Sequence, residues 1–139
     1  MNFITQADLL RLIDQVDLDD ITNDDPTNVD LAEQAAIDEA FGYLNVRHNA
    51  DAELTKTGTD RHAKLVEVIA DMTIYAAHAS IASDNVPELR ETRYTAAITW
   101  LEKVASGFIN PKLDVKAEEP TTTTRWGNAS GIEKQENFY

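Results

Sequence analysis

Apolar residues recur at helical spacing in four stretches of this chain, and the pattern predicts an all-α fold. The first stretch is short and opens at Thr5, where Asp8 completes a pattern close to a capping box. The second is predicted at about residues 30–47, where Asp30 and Glu33 form a capping signature at its start. Between them, residues 17–30 are rich in Asp and Asn and contain a proline, so they are predicted to form a polar loop.

The third predicted helix is the longest and runs from about residue 59 to 83, after a second polar connection at residues 48–58. Pro87 fits the first turn of a fourth helix, where its missing N–H is not needed. Gly107 is a natural stop for that helix, and the following "FINP", residues 108–111, is predicted to close its end. The four predicted helices can therefore pair their apolar faces without help from the rest of the chain.

These elements predict a small four-helix bundle over residues 1–110 and an extended C-terminal arm over residues 111–139. The predicted core is made of large apolar side chains on the inward faces of the helices: Phe41, Leu65, Ile69, Met72, Ile98 and Leu101.

The net charge of the chain limits the kinds of molecule that it is expected to bind. The 139 residues contain 25 acids and 12 bases, which gives a formal net charge of −13. Residues 1–39 hold most of this excess, whereas residues 121–132 contain one arginine and no acid. A negative surface repels phosphates, so the sequence argues against binding to duplex DNA or to anionic membranes.

No targeting or anchoring segment is visible. The chain has no cysteine, its first residues lack the basic and apolar parts of a signal peptide, and no apolar run reaches membrane-spanning length. These features predict a soluble protein made in a cytoplasm.

The acidic loop does not match a calcium-binding loop. An EF-hand needs glycine at its sixth position and glutamate at its twelfth. Counted from Asp17 these positions are Thr22 and Asn28, and counting from Asp19 fails as well. A solvated acidic loop is the favoured interpretation, with weak cation binding as the alternative.

The three histidines, His48, His62 and His78, are scattered along the chain. Asp71 precedes His78 by seven residues and could share its helix face, but no zinc-binding pattern is present. No nucleophile elbow or phosphate-binding loop occurs either. The sequence therefore predicts no catalytic residue, no metal ligand, no cofactor and no enzymatic activity.

The end of the chain, "TTTTRWGNASGIEKQENFY", has a composition unlike that of the bundle. Four β-branched threonines suit an extended strand, and an arginine beside a tryptophan is typical of an interface anchor. An idle, disordered end is the alternative. The residues predicted to bind a partner are Thr121, Thr122, Thr123, Thr124, Arg125, Trp126, Gly127, Ile132, Phe138 and Tyr139.

Several segments resemble those of the head–tail connector proteins of tailed phages. They are "NFITQADLLRLI", "ITNDDPTNVD", "AAIDEAFGYL" and "RYTAAITWLEKVASGFINPKL", in that order along a chain of suitable length. The similarity is to adaptor, or head-completion, proteins of the Mu-like type and spans about residues 3–113. The ending "RWGNASGIEKQENFY" also resembles the tails of that family. The family commonly has a proline after the segment that matches "GYLNVR", and this chain has none there.

The resemblance implies a helical protomer in a ring, usually of twelve copies, in the neck of the virion. The portal protein and a stopper or tail-completion protein would be its partners, and the arm would dock on the portal or on neighbouring subunits. Genomic DNA would pass through the ring without specific binding. The alternative is a small acidic helical regulator or inhibitor that acts by binding another protein.

Overall fold

The computed structural model describes residues 1–81 and 85–117, and within these ranges the chain is helical with no named strand. The all-α fold predicted from the sequence is confirmed. Six α-helices are present instead of four: α1 (Gln6–Leu9), α2 (Gln15–Thr22), α3 (Pro26–Leu44), α4 (Ala50–Leu54), α5 (Ala63–Ile81) and α6 (Glu88–Ser106).

The three long helices form the body of the bundle. Helix α5 packs against both α3 and α6, and α1 and α2 pack on α5 as well. The buried side chains of α5 lie in the centre of this arrangement, where Leu65, Ile69 and Met72 are almost completely shielded from solvent. Among the helices of the described ranges, none combines the length and apolar character needed to cross a bilayer.

Four of the six predicted core side chains, Leu65, Ile69, Met72 and Leu101, are buried. Phe41 and Ile98 are only partly buried and pack against the edge of the core. Their small neighbours Ala40 and Ala97 face inward instead. The inward faces of α3 and α6 are therefore rotated by about one residue from the predicted ones.

The segment predicted as a polar loop at residues 17–30 contains most of α2 and the start of α3, so that prediction was wrong. Leu18 and Thr22 are buried against the bundle, and the Thr22 hydroxyl donates a hydrogen bond of 2.7 Å to the carbonyl of Leu18. The aspartates occupy the opposite, exposed face. A two-turn helix needs only a few apolar contacts, and the acids between them hid the helical period.

Helix α3 begins earlier than predicted because Asp25, not Asp30, is its N-cap. The Asp25 carboxylate accepts a hydrogen bond of 2.9 Å from the backbone N–H of Thr27. Pro26 occupies the first turn, where proline is favoured. Glu33 was predicted to cap the helix but is buried, because its carboxylate binds the N-terminal residues of the chain.

Helix α4 lies in the connection at residues 48–58 that was predicted to be polar. Asn49 caps it through a hydrogen bond of 3.1 Å from the backbone N–H of Ala52. Ala50 and Leu54 are buried and hold the helix on the body. The two apolar contacts of this one-turn helix are too few to form a recognisable period in the sequence.

Candidate partner interface

The C-terminal ends of α3 and α6 lie side by side. Gly107 ends α6 in a left-handed conformation, with φ of 80°, as predicted. The guanidinium of Arg47, just after α3, lies so close that a Cβ on Gly107 would meet its Cζ at 3.0 Å. The left-handed backbone conformation therefore disfavours a side chain at position 107, whereas the flexible, exposed Arg47 side chain has room to move aside.

Phe108 follows this turn and projects into solvent, with 78% of its surface exposed. The Lys103 ammonium lies 5.5 Å from the centre of its ring, within the range of a cation–π interaction. The sequence led us to expect that this residue would help to close the end of the helix. An exposed phenylalanine beside a lysine is instead a typical anchor for another protein.

Residues 111–117, which we call the arm root, lie on this same end of the bundle. Leu113 is buried in the core, and Val115 forms an isolated antiparallel bridge with His48. The carbonyl of Asp114 accepts a hydrogen bond of 2.8 Å from the backbone N–H of Asn49. The first part of the predicted arm therefore contacts this chain's own body through Leu113, Asp114 and Val115, so an arm that reaches away from the body starts after the arm root.

Glu53 fixes the arm root although its side chain is only 1% exposed. Its Oε2 accepts a hydrogen bond of 2.5 Å from the backbone N–H of Asp114 and one of 2.8 Å from the Lys56 ammonium. Lys56 also pairs with the Asp114 carboxylate at 3.3 Å. The hydrogen bond to Glu53 is the largest of the effects that raise the pKa of Lys56 above 10.5.

Sequence reasoning missed the role of Glu53 and Leu113. Glu53 looked like one more charge in a polar connection, and Leu113 is a single apolar residue in an otherwise polar segment. Only the contact between two segments about sixty residues apart gives either residue its function. The one available signal was Leu113 itself, since an isolated leucine after "INPK" has no helix face to join.

The three histidines lie in separate environments. His48 is 2% exposed and its Nδ1 has no hydrogen-bond partner among the described residues. The His62 ring lies 6.5 Å from that of Trp100. Burial lowers the pKa of His78, with nearby Arg90 acting in the same direction. The Asp71 carboxylate is paired with Arg93, from which it accepts hydrogen bonds of 2.6 and 3.0 Å, and not with His78.

The opposite end of the bundle is acidic. Asp14, Asp17 and Asp20 are exposed on or just before α2, and none of them forms an ion pair with another described residue. Val16 lies among them and is 70% exposed. In the ranges 1–81 and 85–117, no three His, Cys, Asp or Glu side chains converge in a way that could hold a metal ion.

The arm residues predicted to bind a partner, Thr121–Thr124, Arg125, Trp126, Gly127, Ile132, Phe138 and Tyr139, lie outside the described residues. What the described part provides is the point from which they start. That point is the arm root, on the end of the bundle that also exposes Phe108.

Comparison with known protein families gives one match, and it covers most of the chain. The family described as "Bacteriophage Mu, Gp36" matches residues 3–128. The chain therefore belongs to this family of bacteriophage proteins. No curated protein and no solved structure matches the chain.

Proposed function

We propose that this protein is a structural component of the virion, an adaptor ring that joins the portal to the stopper or tail and lines the DNA channel. Membership of a bacteriophage Mu family supports a role in building the particle. The similarity of the quoted segments to head–tail connector proteins supports the narrower role.

The observation that carries this proposal is the arm root. Hydrogen bonds from Asn49 and to Glu53 fix residue 114 on an exposed end of the bundle. From Ala117, 22 residues remain to the end of the 139-residue chain. Fully extended, they would reach roughly 75 Å, several times the width of a helix. A segment of this length, with a Trp and terminal aromatic residues, can reach and bind a neighbouring protein.

The charge of the protein supports a place beside DNA that moves. A ring built from copies that each carry −13 repels the phosphate backbone, so the duplex does not adhere to its wall. Each exposed aspartate of α2 adds to this field. The proposed ring therefore conducts DNA without binding it specifically.

Electron cryo-microscopy of intact particles tests this role. We expect a ring of density between portal and tail. The described helical body should fit each repeating unit of that ring, so the number of units gives the number of copies. Particles in which this chain is absent, or lies only in the capsid shell or tail fibres, would contradict the proposal.

A second candidate is an acidic helical regulator or inhibitor that binds another protein. The unpaired aspartates around Val16 favour it, because they imitate the charge of nucleic acid. Light scattering of the purified chain with and without portal protein separates the two. A monomer that does not bind the portal protein supports the regulator. A complex of the chain with the portal protein supports the adaptor.

A further inference from the structure

The two ends of the bundle carry exposed side chains of opposite charge. The first, which we call the acidic patch, consists of Asp14, Asp17, Asp20 and Asp24 around Val16. The second, the basic patch, consists of Arg47, Lys103, Lys112 and Lys116 around Phe108. The sequence between residues 14 and 30 contains no base at all.

The patches are separated by the length of α3. Asp24 lies two residues before this helix and Arg47 three residues after it. Nineteen helical residues span about 28 Å, so one copy cannot bring its own patches together. Any contact between them must join two copies of the chain.

The acidic patch is only partly compensated within the described chain, because Asp17 lies near Arg90 and His78 but forms no ion pair with either of them. Asp17 and Asp20 are three residues apart on α2, where like charges oppose helix formation by a few tenths of a kcal/mol. Neither forms an ion pair with another described residue. Val16, beside them, leaves most of its surface in water. A basic, partly apolar partner surface would reduce both the repulsion between the aspartates and the exposure of Val16 to water.

The basic patch has the matching properties. It holds four exposed cations, and among the described acids beside it both Asp114 and Glu53 are already paired with Lys56. Phe108 is 78% exposed at its centre, and Val46 and Val115 are also largely exposed. Interfaces commonly combine an exposed aromatic anchor with a charged rim in this way.

We propose that copies of this chain associate head to tail, with the basic patch around Phe108 of one copy against the acidic patch around Val16 of the next. The proposal rests on the proposed function only in that an adaptor ring needs such a repeated contact. Contacts between two different patches generate rings or filaments rather than closed dimers. The overall charge of −13 does not prevent this, because at physiological salt charges beyond about 8 Å are screened and the facing patches dominate.

Charge reversal tests the contact in the full chain without portal protein. Lys103→Glu/Lys112→Glu cancels the positive charge of the basic patch, and Asp17→Lys/Asp20→Lys cancels the negative charge of the acidic patch. Sedimentation velocity over a range of protein concentration measures self-association. We expect each double variant to associate at least about tenfold more weakly than the wild type. Roughly 1 M salt, where the screening length falls to about 3 Å, should weaken the wild type as well.

Mixing the two double variants gives the decisive arm. In an equal mixture the unaltered acidic patch of the first variant can face the unaltered basic patch of the second. At the other contact the reversed side chains of the two variants are again opposite in sign, so association should recover towards the wild-type level. Arg11→Glu, in the turn after α1, is the control for charge reversal outside both patches and should leave association unchanged. Phe108→Ala should weaken association, and Phe108→Leu should largely preserve it.

Two results would overturn the inference: a wild-type chain that stays monomeric at every concentration, or patch variants that associate as the wild type does. A mixture that fails to recover would also overturn it, provided that circular dichroism shows both variants folded. The adaptor role stands or falls separately, because it is decided by location in the particle and by binding to the portal.

Discussion

The two ends of the described chain are each held by a buried glutamate, but they are held differently. We call each of these attachments a clasp. At the N-terminal clasp, Glu33 Oε2 accepts hydrogen bonds of 2.7 and 2.8 Å from the backbone N–H groups of Asn2 and Phe3. At the C-terminal clasp, Glu53 Oε2 accepts from Asp114 and from Lys56. Both glutamates are 1% exposed.

The difference lies in the apolar groups beside each clasp. Phe3 and Ile4 are at most 2% exposed, and Arg61 donates a hydrogen bond of 2.8 Å to the carbonyl of Phe3. The arm root buries Leu113 alone, and polar contacts supply the rest of its attachment. The end that leads to the arm is therefore the more weakly anchored one.

The largest expected effect comes from the N-terminal side. Phe3→Ala should lower the free energy of unfolding by about 3–5 kcal/mol, because it removes a fully buried aromatic ring. Urea unfolding followed by circular dichroism measures this. Phe108→Ala is the matched control, since that ring is exposed, and should change stability by no more than about 0.5 kcal/mol. Equal losses in the two variants would mean that Phe3 does not anchor the N-terminal clasp.

Two truncations measure the C-terminal side. A chain that ends at Ala117 should melt at the temperature of the full chain, because it keeps Leu113 and the bonds to Glu53. A chain that ends at Asn110 should lose about 2–3 kcal/mol, or roughly 5–10 °C in Tm. If both truncations melt alike, the arm root is not part of the folded body.

Sequence alone was most informative where long apolar periods exist. The predicted limits of α5 and α6 lie close to Ala63–Ile81 and Glu88–Ser106, since each of these helices packs a continuous face on the core. Helices α2 and α4 were not predicted, because only two or three buried residues hold each of them on the bundle. The two clasps were not predicted for a different reason. Glu33 and Glu53 are buried by segments distant in sequence, and no local pattern encodes such a contact.

Glutamine substitutions separate the two clasps. Glu53→Gln should cost about 1–2 kcal/mol, because a neutral amide accepts weaker hydrogen bonds than a buried carboxylate. Hydrogen exchange should then be faster at the amide of Asp114 and unchanged at the amide of Phe3. Glu33→Gln should produce the reverse pattern. Faster exchange at both amides in either variant would show that the clasps are coupled and not independent.

The smallest effects concern pH and have opposite directions at the two ends. Burial alone would raise the pKa of Asp8, but hydrogen bonds from Arg61 and Thr5 outweigh it, so the pKa lies below 3.8. The folded state therefore gains stability from Asp8 above pH 3.8 and loses it as the pH falls below that value. The pKa of Lys56 is raised above 10.5, so its contribution is complete below pH 10.5 and is lost as the pH rises through the folded value.

Variants measured across pH show these directions. The stability difference between wild type and Asp8→Asn should shrink as the pH falls below about 3.8, whereas that for Lys56→Gln should shrink as the pH rises beyond 10.5. A difference that stays constant across either window would mean that the residue does not titrate with folding.

Binding to the portal protein of the same phage tests most directly whether the chain beyond the arm root serves a partner. The full chain, the chain that ends at Ala117 and the full chain with Trp126→Ala are compared by sedimentation with purified portal. We predict that the full chain binds, that the truncated chain remains folded but does not bind, and that Trp126→Ala binds at least about tenfold more weakly. Undiminished binding by the chain that ends at Ala117 would contradict this role for residues 118–139.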